Sequence, residues 1–309
     1  MKEISKVGII GAGTMGRRIA FSCIINGVYV CLYDINPSAV AEAEKAIQKL
    51  IRDREADGRL NAGTWETVFH FLSASSTLEN CVHSVDLVVE TVTEDLSIKR
   101  NVFTEIDKHA PSEALIGTNT SSIPGSRIAD VMQRPEKVFN FNFGSVDNVK
   151  VEVMGNPKTS VGTIDAIINF LKTLQLVPLV VRKEIMGYAS NRVWRAVKKE
   201  VLFLLDGGYS TPEDIDRSWM LQWNTSLGPC GLMDKIGLDV VRDIEMVYYE
   251  ESGDPSDRPP KMLDEMIEQN KLGVKTGVGF YTYPNPEYMN PGWLKKELPL
   301  NPKDEDGCT

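Results

Sequence analysis

Residues 7–20 read VGIIGAGTMGRRIA, and this stretch constrains the fold more than any other in the chain. Val7 to Ile10 is a short apolar run of buried-strand type. Gly11, Gly13 and Gly16 follow in GxGxxG spacing, and Ile19, Ala20, Cys23 and Ile24 continue at helical spacing. The next apolar run, VYVCLYD, ends at Asp34. A strand, a glycine turn, a helix and a second strand in this order open a dinucleotide-binding α/β unit. Gly11 permits the tight turn, Gly13 lets backbone approach a pyrophosphate, and Gly16 lets the helix pack on the strand. The loop of Gly11, Ala12, Gly13, Thr14, Met15 and Gly16 is thus the expected phosphate cradle, closed by free N–H groups at the helix start. Asp34 falls where a carboxylate accepts hydrogen bonds from a ribose 2′-hydroxyl and repels a 2′-phosphate. Ile35 and Asn36 supply no arginine for that phosphate. The expected cofactor is NAD in preference to NADP.

The strand–helix rhythm continues. DLVVETV (86–92), ALIGTNTS (114–121), KVFNFNF (137–143) and VPLVVRK (177–183) read as strands, as does VKVEVM after 148. Residues 37–60 form a long charged amphipathic helix, and 159–174 give another with Ile164, Ile167, Ile168, Leu171 and Leu174 on one face. This alternation predicts an α/β fold: an N-terminal Rossmann-type, doubly wound, mostly parallel sheet. After Lys183 the strand signals stop. Residues 187–208 read as a long helix ending at Gly207-Gly208, and Thr211-Pro212-Glu213-Asp214 as the capped start of another. The expected organisation is an NAD-binding domain over 1–184 and an all-helical substrate and dimerisation domain over 185–309, the latter making a homodimer.

Composition excludes several classes. The net charge of −9 offers no basic field for nucleic acid. No apolar run is long enough to cross a bilayer, and the N-terminus lacks a signal-peptide layout. Cys23, Cys31, Cys81, Cys230 and Cys308 never fall in CxxC spacing and read as reduced thiols of a cytoplasmic protein. His70, His83 and His109 have no partner at metal-ligand spacing, so no metal site is expected.

Several further motifs, in order and over nearly the whole chain, resemble the 3-hydroxyacyl-CoA dehydrogenase family. They are GAGTMG, ETVTEDLSIK (90–99), TNTSS (118–122), KVEV (150–153), GYASNR (187–192), STPEDID (210–216), LGP…DKIGLD (227–239) and LGVKTGVGFY (272–281). The resemblance implies an oxidoreductase of fatty acid metabolism that passes hydride between NAD and a 3-hydroxyacyl-CoA or a related 3-hydroxy acid. In the family a histidine handles the proton, a glutamate orients it, and a serine and an asparagine bind the reacting oxygen. Carried over by position, Ser121 is the serine, Asn191 the asparagine and Glu152 the glutamate. Glu94 and Lys99 correspond to residues near the nicotinamide, and Lys275 to a lysine that reaches the cofactor from the C-terminal loop.

The histidine fails. Its place falls on Asn142, the loop to Glu152 is two residues shorter than usual, and its prolines are gone. An amide donates and accepts hydrogen bonds but takes no proton near neutral pH. Glu152, directly or through one water, is the expected proton acceptor, with Asp147 as the next candidate. The cations the family places after Asp34 to meet CoA are replaced by Ala56 and Asp57, although Lys49, Arg52, Arg54 and Arg59 keep that helix partly basic. Arg195 and Lys198 share the helix face of Asn191, which marks them either as a solvated side or as an anion pocket for a substrate carboxylate. Two alternatives therefore stand: a dehydrogenase of carboxylate-bearing free hydroxy acids or aldehydes, and a catalytically lapsed NAD-binding paralogue.

Overall fold

A computed structural model describes residues 3–290 and 292–295. The chain forms two compact units that meet between Ala189 and Ser190, inside the first turn of a helix. The first unit holds eight strands: β1 (Lys6–Ile10), β2 (Tyr29–Tyr33), β3 (Leu72–Ala74), β4 (Leu87–Glu90), β5 (Leu115–Thr118), β6 (Val138–Phe143), β7 (Lys150–Gly155) and β8 (Val177–Val181). They make one sheet in the order β3-β2-β1-β4-β5-β6-β7-β8. Only the β6–β7 pairing in it is antiparallel.

Seven helices cover both faces: α1 (Thr14–Ile24), α2 (Pro37–Ala56), α3 (Thr64–Val68), α4 (Leu78–Val82), α5 (Leu96–His109), α6 (Gly125–Ala129) and α7 (Val161–Thr173). Ile19, Ile47 and Ile167 pack on one side of the sheet, and Val82, Phe103 and Ile128 on the other. β1 and β4 are therefore apolar at nearly every position, as strands buried on both faces must be. Helix starts follow side-chain chemistry. Asn36, Asp95 and Ser160 each accept a backbone N–H from the first turns of α2, α5 and α7. The sequence predicts α2 to residue 60, but it stops at Ala56 because Gly58 turns the chain at φ +78°. β3 and α3 carry too little periodicity to be read in advance.

The second unit is helical: most of α8 (Tyr188–Asp206), then α9 (Pro212–Trp223), α10 (Pro229–Ile236), α11 (Leu238–Ser252) and α12 (Lys261–Glu268). Val201, Met220, Met233, Val241 and Leu263 form its core. Thr211 caps α9 by accepting the Asp214 N–H, with Pro212 in the first turn. Among the described residues no helix is long and apolar enough to cross a membrane.

Candidate active site

In the first unit the glycine turn, Asp34, the loop after β4 and the loop after β5 all follow the C-terminal ends of parallel strands. That edge is where doubly wound sheets bind ligands. Gly11 has φ +107°, and a β-carbon there would meet Thr91 Oγ1 at 2.7 Å. A β-carbon on Gly13 would meet nothing within 4 Å. Gly13 is also the N-cap of α1, and no side chain caps this helix. The space in front of Gly13 and the uncapped N–H groups behind it fit a pyrophosphate. Asp34 holds the turn itself: its Oδ2 accepts from Ala12 N at 2.8 Å and its Oδ1 from Asn36 N at 2.9 Å. Each oxygen keeps a second acceptor site for a ribose hydroxyl.

Glu94 and Lys99, both expected near the nicotinamide, are joined to each other. Lys99 is fully enclosed, with Nζ 2.8 Å from Glu90 Oε1 and 3.4 Å from Glu94 Oε2. Glu90 is also fully enclosed and accepts from Thr118 Oγ1 at 2.6 Å. Glu94 accepts from Ser121 N at 3.2 Å, Ser122 N at 3.1 Å, Ser122 Oγ at 2.7 Å and Thr120 Oγ1. Burial alone would raise the Glu94 carboxyl, but the bonds from Thr120 and Ser122 and the Lys99 charge outweigh it and hold it low. Ser121 is exposed.

Asn142 and Glu152 face each other across β6 and β7. Asn142 Nδ2 donates to Glu152 Oε2 at 3.4 Å, and the Ala189 N–H donates to Oε1 at 3.0 Å. Glu152 is 1% exposed, while Asn142 is partly exposed. The Asn119 carboxamide accepts from Phe143 N at 3.1 Å and ties the Ser121 loop to the end of β6. Asp147 lies elsewhere, ion-paired to Arg54 and Arg59 at 2.7 Å each, so the structure removes it as a rival base.

Lys49, Arg52 and Arg54 of α2, and Arg59 just beyond it, are also paired. Lys49 pairs with Asp53, Arg52 with Glu55 and Glu66, Arg54 with Asp147, and Arg59 with Asp57 and Asp147.

In the second unit Asn191 is exposed in the first turns of α8. Arg195 and Lys198 depart from both expectations. Neither lies on a solvated side, and their charges already have carboxylate partners. Lys198, 2% exposed, lies 2.7 Å from Glu245 Oε1. Arg195 lies 3.0 Å from Glu245 Oε2 and 2.8 Å from Asp257, over the Tyr248 ring. The chain's own carboxylates fill the expected anion pocket. Lys275 pairs with Asp239 of the same unit.

Sequence reasoning missed Glu90, Thr118, Asn119 and Tyr188. The Tyr188 hydroxyl donates to the Thr120 carbonyl at 2.8 Å. Glu90 carried a usable signal, a carboxylate ending the apolar run LVVE, of the same kind that singled out Asn142 and Glu152.

The sequence profile of the 3-hydroxyacyl-CoA dehydrogenase NAD binding domain matches residues 6–185, and that of the family's C-terminal domain matches 187–283. The chain belongs to the 3-hydroxyacyl-CoA dehydrogenase family. Its first unit is accordingly an NAD-binding domain. A Bacillus subtilis protein named "Probable 3-hydroxybutyryl-CoA dehydrogenase" is 34% identical over 284 residues, 91% of this chain and 98% of that protein. The 5-formyl-3-hydroxy-2-methylpyridine 4-carboxylate 5-dehydrogenase of Mesorhizobium japonicum is 28% identical over 91% of each chain. The crystal structure of an (S)-3-hydroxybutyryl-CoA dehydrogenase from Ralstonia eutropha matches with a TM-score of 0.85 and 30% identity, over 92% of this chain and 100% of that one.

Proposed function

We propose that this protein is an NAD-dependent dehydrogenase that oxidises the 3-hydroxyl of a 3-hydroxyacyl thioester or related 3-hydroxy acid. The observation that carries the reading is the pairing of Asn142 with Glu152 on the sheet edge that also holds the glycine turn. NAD supplies the hydride acceptor. Ser121 holds the reacting oxygen, and Asn142 is a binding residue beside it. Glu152, directly or through one water, takes the proton. An amide in place of a base forgoes about 10²–10⁴ in rate unless the carboxylate behind it is used.

A second reading has its own support. Lys49, Arg52 and Arg54 of α2 are paired internally, which reduces that helix's free charge for CoA phosphates. The Mesorhizobium relative, by its name, acts on a free pyridine carboxylate. Under this reading the substrate is a hydroxy acid or aldehyde without CoA. Initial rates with 3-hydroxybutyryl-CoA, its N-acetylcysteamine thioester and free 3-hydroxybutyrate separate the two. A kcat/KM for the CoA ester well above that for the short thioester favours the first, and equal values favour the second. No turnover on a broad panel, with NAD binding intact, returns the chain to a lapsed paralogue.

The same reading includes a homodimer and a reducing, cytoplasmic setting. Val193, Phe203, Leu221 and Trp223 of α8 and α9 are more than half exposed, an apolar area suited to a second copy. The four described cysteines are free thiols, as a reducing compartment would keep them.

A further inference from the structure

We infer that Cys31 and Cys81 are a dithiol oxidation site, at which a hydroperoxide converts Cys31 to a sulfenic acid that Cys81 then closes to a reversible disulfide. Cys31 lies in β2 and Cys81 in α4, both in the first unit. Their contact starts from a glycine. Gly8 of β1 lies beside Cys31 across the ladder, with Ser73 of β3 on the other side. A β-carbon on Gly8 would meet the Cys81 carbonyl oxygen at 2.8 Å, so α4 comes down onto the sheet where Gly8 has no side chain. Cys81 Sγ thereby lies 3.2 Å from the Cys31 carbonyl oxygen and 3.9 Å from that of Ile9. The two thiols also hydrogen-bond to each other. Both belong to one packed side of the sheet, so their sulfurs can join without unfolding.

The two thiols differ in the way the reaction needs. Cys31 is partly exposed, whereas Cys81 is 1% exposed. The hydrogen bond with Cys81 is the main cause that brings the Cys31 thiol down to about 7; burial opposes it, and Ser73 and His83 assist. The thiolate, which is the nucleophile, is therefore abundant at neutral pH. Cys81 is raised, chiefly by the same bond and then by burial. Burial pushes Cys23 up to about 12 and also raises Cys230, helped by Asp216. Among the four described cysteines Cys31 is thus the attacking one. Its thiolate attacks the hydroxyl oxygen of a hydroperoxide, ROOH. The S–O bond forms, the O–O bond breaks, and RO⁻ leaves and takes up a proton as ROH. Sulfur loses two electrons and the peroxide gains them. With Cys31 neutral as the sulfenic acid, the chief cause that raised Cys81 is gone. The Cys81 sulfur then attacks the Cys31 sulfur. The S–S bond forms, the S–O bond breaks, and hydroxide leaves with the Cys81 proton as water. Two thiols and one hydroperoxide give one disulfide, one ROH and one water.

The test treats the full, reduced chain with a small excess of hydrogen peroxide at neutral pH, blocks the remaining thiols and maps the unreduced digest by mass spectrometry. The expected product is a peptide pair joined through Cys31 and Cys81, two hydrogens lighter than the separate peptides and released by dithiothreitol. Without peroxide, iodoacetamide should alkylate Cys31 at least about tenfold faster than Cys23 or Cys230. Cys81→Ser should stop the reaction at the sulfenic acid, which dimedone captures at Cys31. Cys31→Ser should leave Cys81 unmodified. Recovery of wild-type Cys31 as a sulfenic or sulfinic acid, with Cys81 still a thiol, overturns the inference. So does Cys31 joined to any other cysteine, or left unoxidised while methionines oxidise. If either variant fails to fold, the wild-type digest still decides, because it reads the linkage directly.

Discussion

A β-carbon added to Gly16 would lie 2.0 Å from the carbonyl oxygen of Gly11, whereas one added to Gly13 would meet open space. The two glycines therefore serve different ends. Gly16→Ala should destabilise the fold by roughly 1–3 kcal/mol, the usual cost of overpacking. Gly13→Ala should leave stability within about 1 kcal/mol yet weaken NAD about tenfold or more, because its methyl stands where phosphate must approach. Urea melts and NAD titrations on both variants check this. A Gly13→Ala protein that binds NAD like wild type removes Gly13 from the phosphate site.

Asp34 should set the preference for NAD. Its carboxylate accepts from Ala12 N and Asn36 N, keeps acceptor capacity for a ribose hydroxyl, and repels a phosphate by charge. Asp34→Ala should weaken NAD by about 1–3 kcal/mol, the range for hydrogen bonds to a charged group. Wild-type binding of NADP as tight as NAD would falsify the role given to Asp34.

Lys198 and Arg195 now predict stability, not affinity. Removing Lys198 leaves Glu245, 3% exposed, with half of its cation support. Lys198→Met should cost about 3–5 kcal/mol, as expected when one partner of a buried pair is lost. Replacing Glu245 by leucine in the same chain should recover most of that. Equilibrium unfolding measures both, and an unchanged midpoint in Lys198→Met defeats the argument. Substrate KM in a folded Arg195→Ala enzyme should stay near wild type.

Acid should weaken the second unit through Asp257. Its carboxyl is held well below the ordinary range, chiefly by the Lys199 hydrogen bond and then by Arg195. A folded pKa below the unfolded value of about 3.9 stabilises the protein above that pH, and the gain fades as pH falls toward the folded value. Asp257→Asn should therefore melt lower than wild type at neutral pH, with the gap closing below about pH 4. A gap constant from neutral pH down to about pH 3 would show that Asp257 contributes no charge-dependent stability.

The sheet was legible because parallel strands buried on both faces must be apolar throughout, and the glycine spacing fixed where the nucleotide end lies. β3 escaped because three residues at a sheet edge carry no pattern. Asn142 and Glu152 were legible as polar residues inside apolar strands, and the structure sets them opposite each other. The partners of charged side chains were not legible. Arg195 and Lys198 looked available because Glu245 and Asp257 lie far off in sequence, and Asp147 looked available because Arg54 does. Helical periodicity says which face a residue occupies, but long-range folding decides what meets it.

Asn142 sits where relatives are expected to carry a histidine, and its NH2 group is spent on Glu152. If Glu152 is the proton acceptor, Glu152→Gln should lower kcat by about 10²–10⁴. NAD affinity should hold, since the nucleotide loops follow β1 and β2. The variant keeps the side-chain volume, so circular dichroism should match wild type. Asn142→His asks the complementary question. An imidazole there could donate from one nitrogen to Glu152 and accept the substrate proton at the other. A large gain in 3-hydroxybutyryl-CoA oxidation would mean that the asparagine has traded away base catalysis and that Glu152 alone suffices poorly. A loss on the native substrate would mean that the amide is itself a binding group. A Glu152→Gln enzyme as active as wild type removes Glu152 from proton transfer and leaves water as the acceptor, because Asp147 is already paired with two arginines.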